Sequence, residues 1–435
     1  MQKSNVFNDT NHQLLSKVSW RILPLLFCSY ICAYLDRINI GFASKNLKDD
    51  LNFSDSVYGL GAGIFFLGYA LFEIPSNVIM EKVGARRWIA RIMITWGIIS
   101  GAMAFVDSPF TFYILRFFLG VAEAGFFPGI ILYLTYWFPP SQRGKSISRF
   151  MTAIPLSGLI GAPISGMLLD MDGIASLHGW QWLFILEALP SVLMGLYIFF
   201  FLPDKPANAY WLNEFEKKHL SNALTEEELQ IHSTTPKLNP LLAISSLKVW
   251  YICLIYFFQV TGLYGIGLWL PDLLQSSTHV GNIQTGLLTA IPFLAGALSM
   301  IIWGWNSDRL NERKWHLFLG NLLGSTGFVI AGLRPDSLPF ALLGITIASM
   351  GVHATFGPFW ALKTTLLAPG IAAVGIALIN SMGNLGGFMG PSLTGFLKQS
   401  TGSLSWGLIL YASTSFMAAL MILFLKTTPI QISKK

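Results

Sequence analysis

The chain has 435 residues, of which 53% are hydrophobic and only 11% charged. A typical soluble protein has roughly 25% charged residues, so this composition excludes a water-soluble globular protein and indicates a polytopic membrane protein. The net charge of +6 would suggest acidic partners in a soluble protein. In a membrane protein the distribution of basic residues between loops is more informative than the net charge. We therefore predict that the protein is embedded in a lipid bilayer and does not bind nucleic acid.

Twelve apolar runs predict membrane-spanning helices, called spans 1 to 12 below. Their predicted limits are 20–44, 56–80, 86–106, 110–137, 143–170, 180–202, 248–275, 283–305, 315–333, 338–362, 369–397 and 404–425. The residues before span 1 are polar, and its apolar run is too long for a cleavable signal peptide, so span 1 is expected to remain. The sequence thus predicts an all-α protein with two six-helix bundles, 1–202 and 248–435, joined by a polar cytoplasmic linker loop, 203–247.

The positions of the basic residues predict the orientation of the spans. Of the 28 Lys and Arg residues, two are assigned to the membrane interior, namely Arg37 and Arg116. All the others lie in one set of alternating segments or at the span ends next to them, except for Lys45, Lys48, Arg334 and Lys398. Because cytoplasmic loops are enriched in Lys and Arg, we predict that both termini are cytoplasmic and that these four residues lie on the outer side.

The two halves repeat each other along the chain. At a nearly constant offset, Glu81 corresponds to Asp308, Pro163 to Pro391 and Trp180 to Trp406. Such repetition is typical of transporters built from two parallel helix bundles.

Ionisable residues at membrane depth suggest a functional site, and span 1 contains two of them side by side, Asp36 and Arg37. In span 4, Arg116 and Glu123 are seven residues apart and so share one helix face. At about 1.5 Å per residue, Arg37 and Arg116 lie roughly 10 Å from the outer side and Glu123 about 10 Å deeper. These four residues are predicted to meet near the middle of the membrane.

This layer has two interpretations. In the first, Asp36 pairs with Arg116, Arg37 is free to hold the carboxylate of a substrate, and Glu123 binds a proton, because burial favours the protonated form of a carboxyl group that lacks a full partner. In the second, the layer is a static ion network that only links spans 1 and 4.

The loop Gly304-Trp-Asn-Ser-Asp308-Arg309-Leu-Asn-Glu-Arg313-Lys314 resembles the loop signature of the major facilitator superfamily, and Glu81 and Arg86 belong to a weaker copy between spans 2 and 3. An acid at a helix end can pair with a basic residue across the bundle interface and so hold one conformation. The sequence therefore predicts gating roles for five residues, with topology anchoring as the alternative: Glu81, Arg86, Asp308, Arg309 and Arg313.

Six further motifs together resemble the anion:cation symporter family, in its bacterial phthalate-permease-like branch. They are Tyr34-Leu-Asp36-Arg37-Ile-Asn39-Ile-Gly41, Phe72-Glu-Ile-Pro75-Ser-Asn77, Val83-Gly-Ala-Arg-Arg-Trp88, Ala122-Glu123-Ala-Gly-Phe-Phe-Pro128-Gly129, Gly357-Pro-Phe-Trp360-Ala-Leu362 and Ala377-Leu-Ile-Asn380-Ser-Met-Gly383-Asn384-Leu-Gly-Gly387. The resemblance implies a major facilitator fold and proton-coupled uptake of small organic acids such as aromatic acids, tartrate, aldarates or sugar acids. It also implies that Asp36 and Glu123 take part in proton coupling, that Arg37 coordinates the substrate carboxylate, and that Arg116 links the acids to the substrate.

Aromatic and amide side chains extend the predicted binding site. They can stack on a substrate or donate hydrogen bonds to it, although each can equally serve in packing. The candidates are Tyr34, Tyr69, Tyr264, His353, Trp360, Asn380 and Asn384, with Tyr30 beside them.

Two positions depart from the family pattern. Sugar-acid transporters of the family tend to have a glutamine in the middle of span 5, where this chain reads Met151-Thr-Ala-Ile154-Pro155, which favours a less hydroxylated or aromatic acid. Lys363 occupies a position where related sequences usually have proline, and it could alter the inner gate.

The sequence offers no catalytic triad, phosphate loop, metal cluster or nucleotide motif, so we predict a transporter without cofactors rather than an enzyme. The predicted function is proton-coupled symport of a small organic anion by alternating access, in the bacterial inner membrane and as a functional monomer. Two alternatives remain: efflux or exchange of the same acids, and a transporter-like sensor that binds an acid without moving it.

Overall fold

The computed structural model describes residues 2–139, 146–147, 150–234, 243–278, 280–367 and 369–426. Over these residues the chain is helical and contains no β-strand. The structure forms the twelve predicted spans from the helices Gln2–Leu51, Asp55–Val83, Ala85–Ala102, Pro109–Glu123 with Phe126–Thr135, Ala153–Leu169, Gly179–Phe201, Leu247–Thr278, Asn282–Arg309, Lys314–Leu333, Leu338–Ala354 with Phe356–Leu366, Pro369–Thr401, and Ser405–Phe424. Ten of the described helices are long and apolar enough to cross a membrane, which agrees with a multi-pass membrane protein.

Local sequence signals explain where the helices begin. Span 2 starts after Ser54, whose hydroxyl accepts a hydrogen bond from the backbone N–H of Val57 at 3.2 Å. Span 4 starts after Ser108, which forms a capping box with Thr111, and Pro109 occupies the first turn. These caps satisfy backbone donors that a helix end leaves unpaired. Because both starts are fixed, the register of Asp55 and Arg116 within their spans is fixed as well.

The first six spans and the last six meet along two pairs of helices, span 2 with span 11 and span 5 with span 8. The helix backbones approach closely where small residues face each other. A Cβ atom added at Gly286 in span 8 would lie only 2.3 Å from the carbonyl oxygen of Ala162 in span 5, so this contact requires glycine. Spans 1 and 7 also touch across this boundary, which places the ionisable residues of span 1 next to the second half.

The segment predicted as a polar linker loop, 203–247, contains a helix, Glu214–Thr234. Its first turn contacts the long first helix, where Lys17 Nζ lies 2.8 Å from Glu216 Oε1. The sequence did not indicate this helix, because its charged residues follow no apolar stripe. The side chain of Lys363 and the basic residues Arg143, Lys145 and Arg149 lie outside the described residues.

Candidate functional site

Arg37 lies at the centre of the molecule, where span 1 faces the second half. Its side chain is only 7% exposed. The guanidinium donates hydrogen bonds to Glu123 of span 4 and, at 2.6 Å, to the hydroxyl of Tyr264 of span 7. One residue of span 1 therefore joins both six-helix halves.

Four aromatic rings surround the Arg37 guanidinium. Its Cζ lies 5.4 Å from the ring centres of both Phe65 and Tyr69, 5.8 Å from that of Tyr264 and 5.9 Å from that of Tyr34. Rings at this distance stabilise a cation by their negative faces. The four rings thus stabilise the positive charge of Arg37, and this charge can in turn bind an anion.

Asp36 faces a different part of the molecule from Arg37. Its carboxylate accepts hydrogen bonds from the Trp96 indole at 3.0 Å, from Ser100 at 2.8 Å and from Ser191 at 2.5 Å. These partners belong to spans 3 and 6 of the first half. Asp36 is therefore held inside that half, in polar contacts that stabilise a carboxylate without a cation.

The predicted pairing of Asp36 with Arg116 is wrong in this conformation. Arg116 instead donates to the backbone carbonyl oxygens of Gly61 and Ala62 in span 2, each at 3.2 Å. Arg37 is consequently not free, as the first interpretation required, but is paired with Glu123. The physical reason is rotation: consecutive helix residues point about 100° apart, so Asp36 and Arg37 cannot both face span 4.

Glu123 is the last residue of the first helix segment of span 4. The helix breaks at Gly125, which has a φ of 86°. A Cβ atom added there would lie 2.3 Å from the hydroxyl oxygen of Ser76, so only glycine allows both the left-handed backbone and the close approach of span 2. This break fixes Glu123 opposite Arg37.

A narrow cavity opens between the two halves beside Arg37. The space that the centres of water molecules can occupy in it is about 40 Å³, which is enough for roughly three waters. A small organic acid can therefore enter only if the lining helices move apart. The cavity is lined by Tyr30, Tyr34, Arg37, Tyr69, Phe127, Met151, Ile154, Tyr256, Val260, Leu263, Tyr264, Phe356, Asn380, Gly383 and Asn384. Arg37 supplies the charge among these lining residues.

The cavity contains six of the predicted binding residues, Tyr34, Arg37, Tyr69, Tyr264, Asn380 and Asn384. Three others lie outside its lining, and one of them is Arg116, whose contacts are with span 2. His353 is hydrogen-bonded through Nδ1 to the backbone oxygen of Ser349 at 2.8 Å, and Trp360 packs edge-on against Tyr256 at 5.6 Å.

One ionisable residue near the cavity, Glu73 of span 2, is not among the site residues predicted from the sequence. Its two carboxylate oxygens accept hydrogen bonds from the side-chain amides of Asn380, at 2.5 Å, and Asn384, at 3.2 Å. Both asparagines belong to span 11, so this contact also crosses between the halves. An acid inside a predicted span was the signal that could have identified it.

The contacts of the predicted gating residues lie near the ends of the spans. Asp308 pairs with Arg313 of its own loop, with 2.6 Å between Oδ1 and Nη2. The backbone N–H of Arg86 donates to Asp204 at 2.8 Å. Arg309 stacks over Trp305 at 5.4 Å, and Glu81 is exposed.

Four charged residues form an ion network on the side predicted to be outer. Lys48 Nζ lies 2.7 Å from both Asp55 and Asp272, and Lys398 Nζ lies 3.1 Å from Asp55 and 2.5 Å from Asp272. Lys48 and Asp55 belong to spans 1 and 2, whereas Asp272 and Lys398 belong to spans 7 and 11. The network therefore holds the two halves together on that side of the cavity.

We predict that Asp272→Asn loosens this closure. Asp272 is 5% exposed and meets two ammonium groups, so its neutralisation should cost roughly 2 kcal/mol, about a 30-fold shift toward a conformation open on that side. The measurement is labelling of a Val260→Cys variant, in a background without Cys28, Cys32 and Cys253, by a membrane-impermeant thiol reagent added outside.

The matched control for this experiment is Asp107→Asn. Asp107 precedes span 4 on the same side but accepts its hydrogen bond from Thr111 of its own turn, at 2.9 Å. Labelling should rise with Asp272→Asn and stay unchanged with the control. Equal labelling of both variants would contradict a closing role of the network.

Comparison with known proteins places the chain in a family. The family model described as Major Facilitator Superfamily matches residues 26–271 and 252–435. A protein of Agrobacterium vitis named "Putative tartrate transporter" is 45% identical over 420 residues, covering 97% of this chain and 93% of the relative. A protein of Acinetobacter baumannii named "Quinolone resistance transporter" is 41% identical over 400 residues, covering 92% of each chain.

The fold also matches solved structures. One described as "Crystal structure of D-xylose-proton symporter" superimposes with a TM-score of 0.74, at 17% identity and over 94% of this chain and 98% of the other. The relatives are named as transporters, in agreement with the prediction of a transporter rather than an enzyme. The matches extend over both halves of the chain and agree with the twelve helical spans, and the chain belongs to the Major Facilitator Superfamily.

Proposed function

We propose that the protein is a secondary active transporter that imports a small organic anion together with protons by alternating access. The observation that carries this proposal is the Arg37 guanidinium, which faces a cavity between the two halves and is held by a carboxylate that a substrate carboxylate can replace. A guanidinium binds a carboxylate through two parallel hydrogen bonds. The protein's own Glu123 thus occupies the place of the substrate.

Two hydrogen-bond donors at this cavity support the same proposal. Within the described residues, Arg37 Nε and the Tyr34 hydroxyl are buried and have no hydrogen-bond partner. A buried donor without a partner costs about 1–3 kcal/mol. A bound carboxylate would satisfy both donors and recover that free energy.

The contact between Glu123 and Arg37 suggests how protons are coupled to the anion. A proton on Glu123 removes the charge that holds Arg37, and Arg37 then becomes available to the substrate. Entry of one proton with one negative charge also avoids the cost of moving an anion alone into a negative-inside cell. Asp36, next to Arg37 in span 1, is the second proposed proton site, and Arg116 completes the charged layer.

The substrate that we propose is a carboxylic acid with further polar or aromatic groups. The relative from Agrobacterium vitis, whose name specifies tartrate, supports a hydroxylated acid, whereas the tyrosines of the cavity also suit an aromatic acid. The residues proposed to contact it are Tyr34, Arg37, Tyr69, Tyr264, Asn380 and Asn384. We further propose a bacterial inner-membrane location with both termini cytoplasmic and a monomer as the functional unit.

The test is uptake of labelled organic acids into proteoliposomes that contain the purified protein. With an inward gradient of one pH unit, an acid that enters with one proton should accumulate about tenfold, since one pH unit corresponds to 1.36 kcal/mol. Without the gradient it should only equilibrate. Accumulation that ignores pH would contradict proton coupling, and binding without any transport would favour a sensor.

Efflux of aromatic acids is the second candidate. It is favoured by the relative from Acinetobacter baumannii, whose name refers to resistance to quinolones, a class of aromatic carboxylic acids. The same proteoliposomes distinguish the two candidates by the direction of the gradient. In proton-coupled import, protons and acid cross the membrane in the same direction. In proton-driven efflux, they cross it in opposite directions.

A further inference from the structure

We propose that Glu73 determines substrate specificity by fixing the orientation of the Asn380 and Asn384 amides, so that they recognise the far end of a substrate whose carboxylate is held by Arg37. This inference rests on the proposed function. It concerns acids that carry a second carboxyl group besides the one held by Arg37, called two-ended acids here. One-ended acids have an apolar group in that place.

The first observation is the geometry of the contact. Asn380 and Asn384 are four residues apart in span 11, one helical turn, and therefore lie on the same face. Each donates a side-chain N–H to a different oxygen of Glu73, across the boundary between the two halves. Both asparagines line the cavity, whereas Glu73 is not among the lining residues.

The chemistry of the carboxylate decides which way the amides point. An ionised carboxylate only accepts hydrogen bonds, so both amides must turn their nitrogen atoms toward Glu73. Each amide nitrogen carries a second N–H, which remains for another acceptor. With Glu73 in place, the pair can offer two donors to oxygen atoms of a substrate.

A glutamine at position 73 cannot hold both amides in this way. Its side chain has one acceptor oxygen and one NH₂ donor group, so one of the two asparagines must turn its own oxygen toward position 73. The pair then becomes one donor and one acceptor. Recognition of two adjacent acceptor oxygens is lost, although the volume of the side chain hardly changes.

The position of the contact connects recognition to closure of the cavity. Glu73 belongs to span 2 and the amides to span 11, and these two spans form one of the two main contacts between the halves. Glu73 holds the two amides only while span 2 and span 11 are in contact beside the cavity. The donor pair is therefore complete in the conformation that the structure shows, in which spans 2 and 11 are in contact.

The experiment compares matched pairs of acids by calorimetric titration of the purified protein in detergent. L-Tartrate is paired with 2,3-dihydroxybutyrate, in which a methyl group replaces one carboxyl group, and phthalate is paired with benzoate. For Glu73→Gln we expect the affinity for the two-ended acid of a pair to fall about tenfold, with the affinity for its one-ended partner changed less than twofold. The control is Glu187→Gln, a buried glutamate of the same half that accepts its hydrogen bond from Ser165 at 2.6 Å.

Each outcome bears on the inference. An equal loss of affinity for both acids of a pair indicates a merely structural role of Glu73 and overturns the inference. An equal gain of affinity also overturns it, because such a gain reflects only the removal of a negative charge. If Glu73→Gln does not fold, as judged by thermal unfolding, Glu73→Met replaces it; this variant holds neither amide, and the same selective loss is expected. If the wild type binds none of the four acids, the proposed function fails, whereas unchanged discrimination in a folded variant overturns this inference alone.

Discussion

Replacing Arg37 with lysine is expected to lower the affinity for organic acids at least 100-fold, which corresponds to about 3 kcal/mol. A lysine ammonium is a compact charge and cannot form the two parallel hydrogen bonds that a guanidinium forms with a carboxylate. It would also leave Glu123 or the Tyr264 hydroxyl without the donor that now contacts both. The measurement is calorimetric titration of the purified variant with each acid that the wild type binds.

The matched control for Arg37→Lys is Arg91→Lys. Arg91 is another arginine of the first half, stacked over Trp88 at 3.9 Å, and it is not among the residues that line the cavity. The control should bind acids within about twofold of the wild type, the ordinary effect of a substitution away from the site. If Arg37→Lys binds as well as the control, then the substrate is not held by this guanidinium.

Glu123→Gln is expected to abolish accumulation driven by the proton gradient while exchange of labelled for unlabelled acid continues. Glutamine fills nearly the same volume but cannot gain or lose a proton, so it permanently imitates the protonated carboxyl group. Arg37 then lacks its charged partner and remains available to the substrate. Accumulation should fall from about tenfold per pH unit to none.

The measurement for Glu123→Gln is made in proteoliposomes, first with a pH gradient and then with unlabelled acid inside and no gradient. Glu187→Gln is the control, since Glu187 is also buried, in span 6, but contacts Ser165 rather than the cavity arginine. It should keep both activities. If the Glu123→Gln variant still accumulates acid when the pH gradient is applied, proton coupling belongs to another group, and Asp36 is the next candidate.

The contacts between the halves close the structure on the predicted outer side and at the level of the cavity. On the predicted outer side, the network around Asp272 joins four spans. At the cavity, Arg37 contacts Tyr264 and Glu73 contacts the two asparagines. In the proposed alternating access, these contacts would break on one side while contacts on the other side persist.

The sequence by itself determined the class of protein and indicated which charged residues are buried inside it. Composition and apolar length set twelve spans, because the thickness of the bilayer dictates how many apolar residues a helix needs. The cost of an ionisable group at membrane depth singled out Asp36, Arg37, Arg116 and Glu123. Helical periodicity also placed Arg116 and Glu123 on one face of span 4.

Only the tertiary structure decided which partner each charge meets. Asp36 and Arg37 are neighbours in sequence but point in different directions, so one contacts spans 3 and 6 and the other contacts spans 4 and 7. Glu73 and Asn380 lie in different halves of the chain, and their contact depends on how closely spans 2 and 11 pack. Periodicity fixes the face of a helix that a residue occupies, but the partner across that face is set by how the helices pack together, which local sequence does not encode.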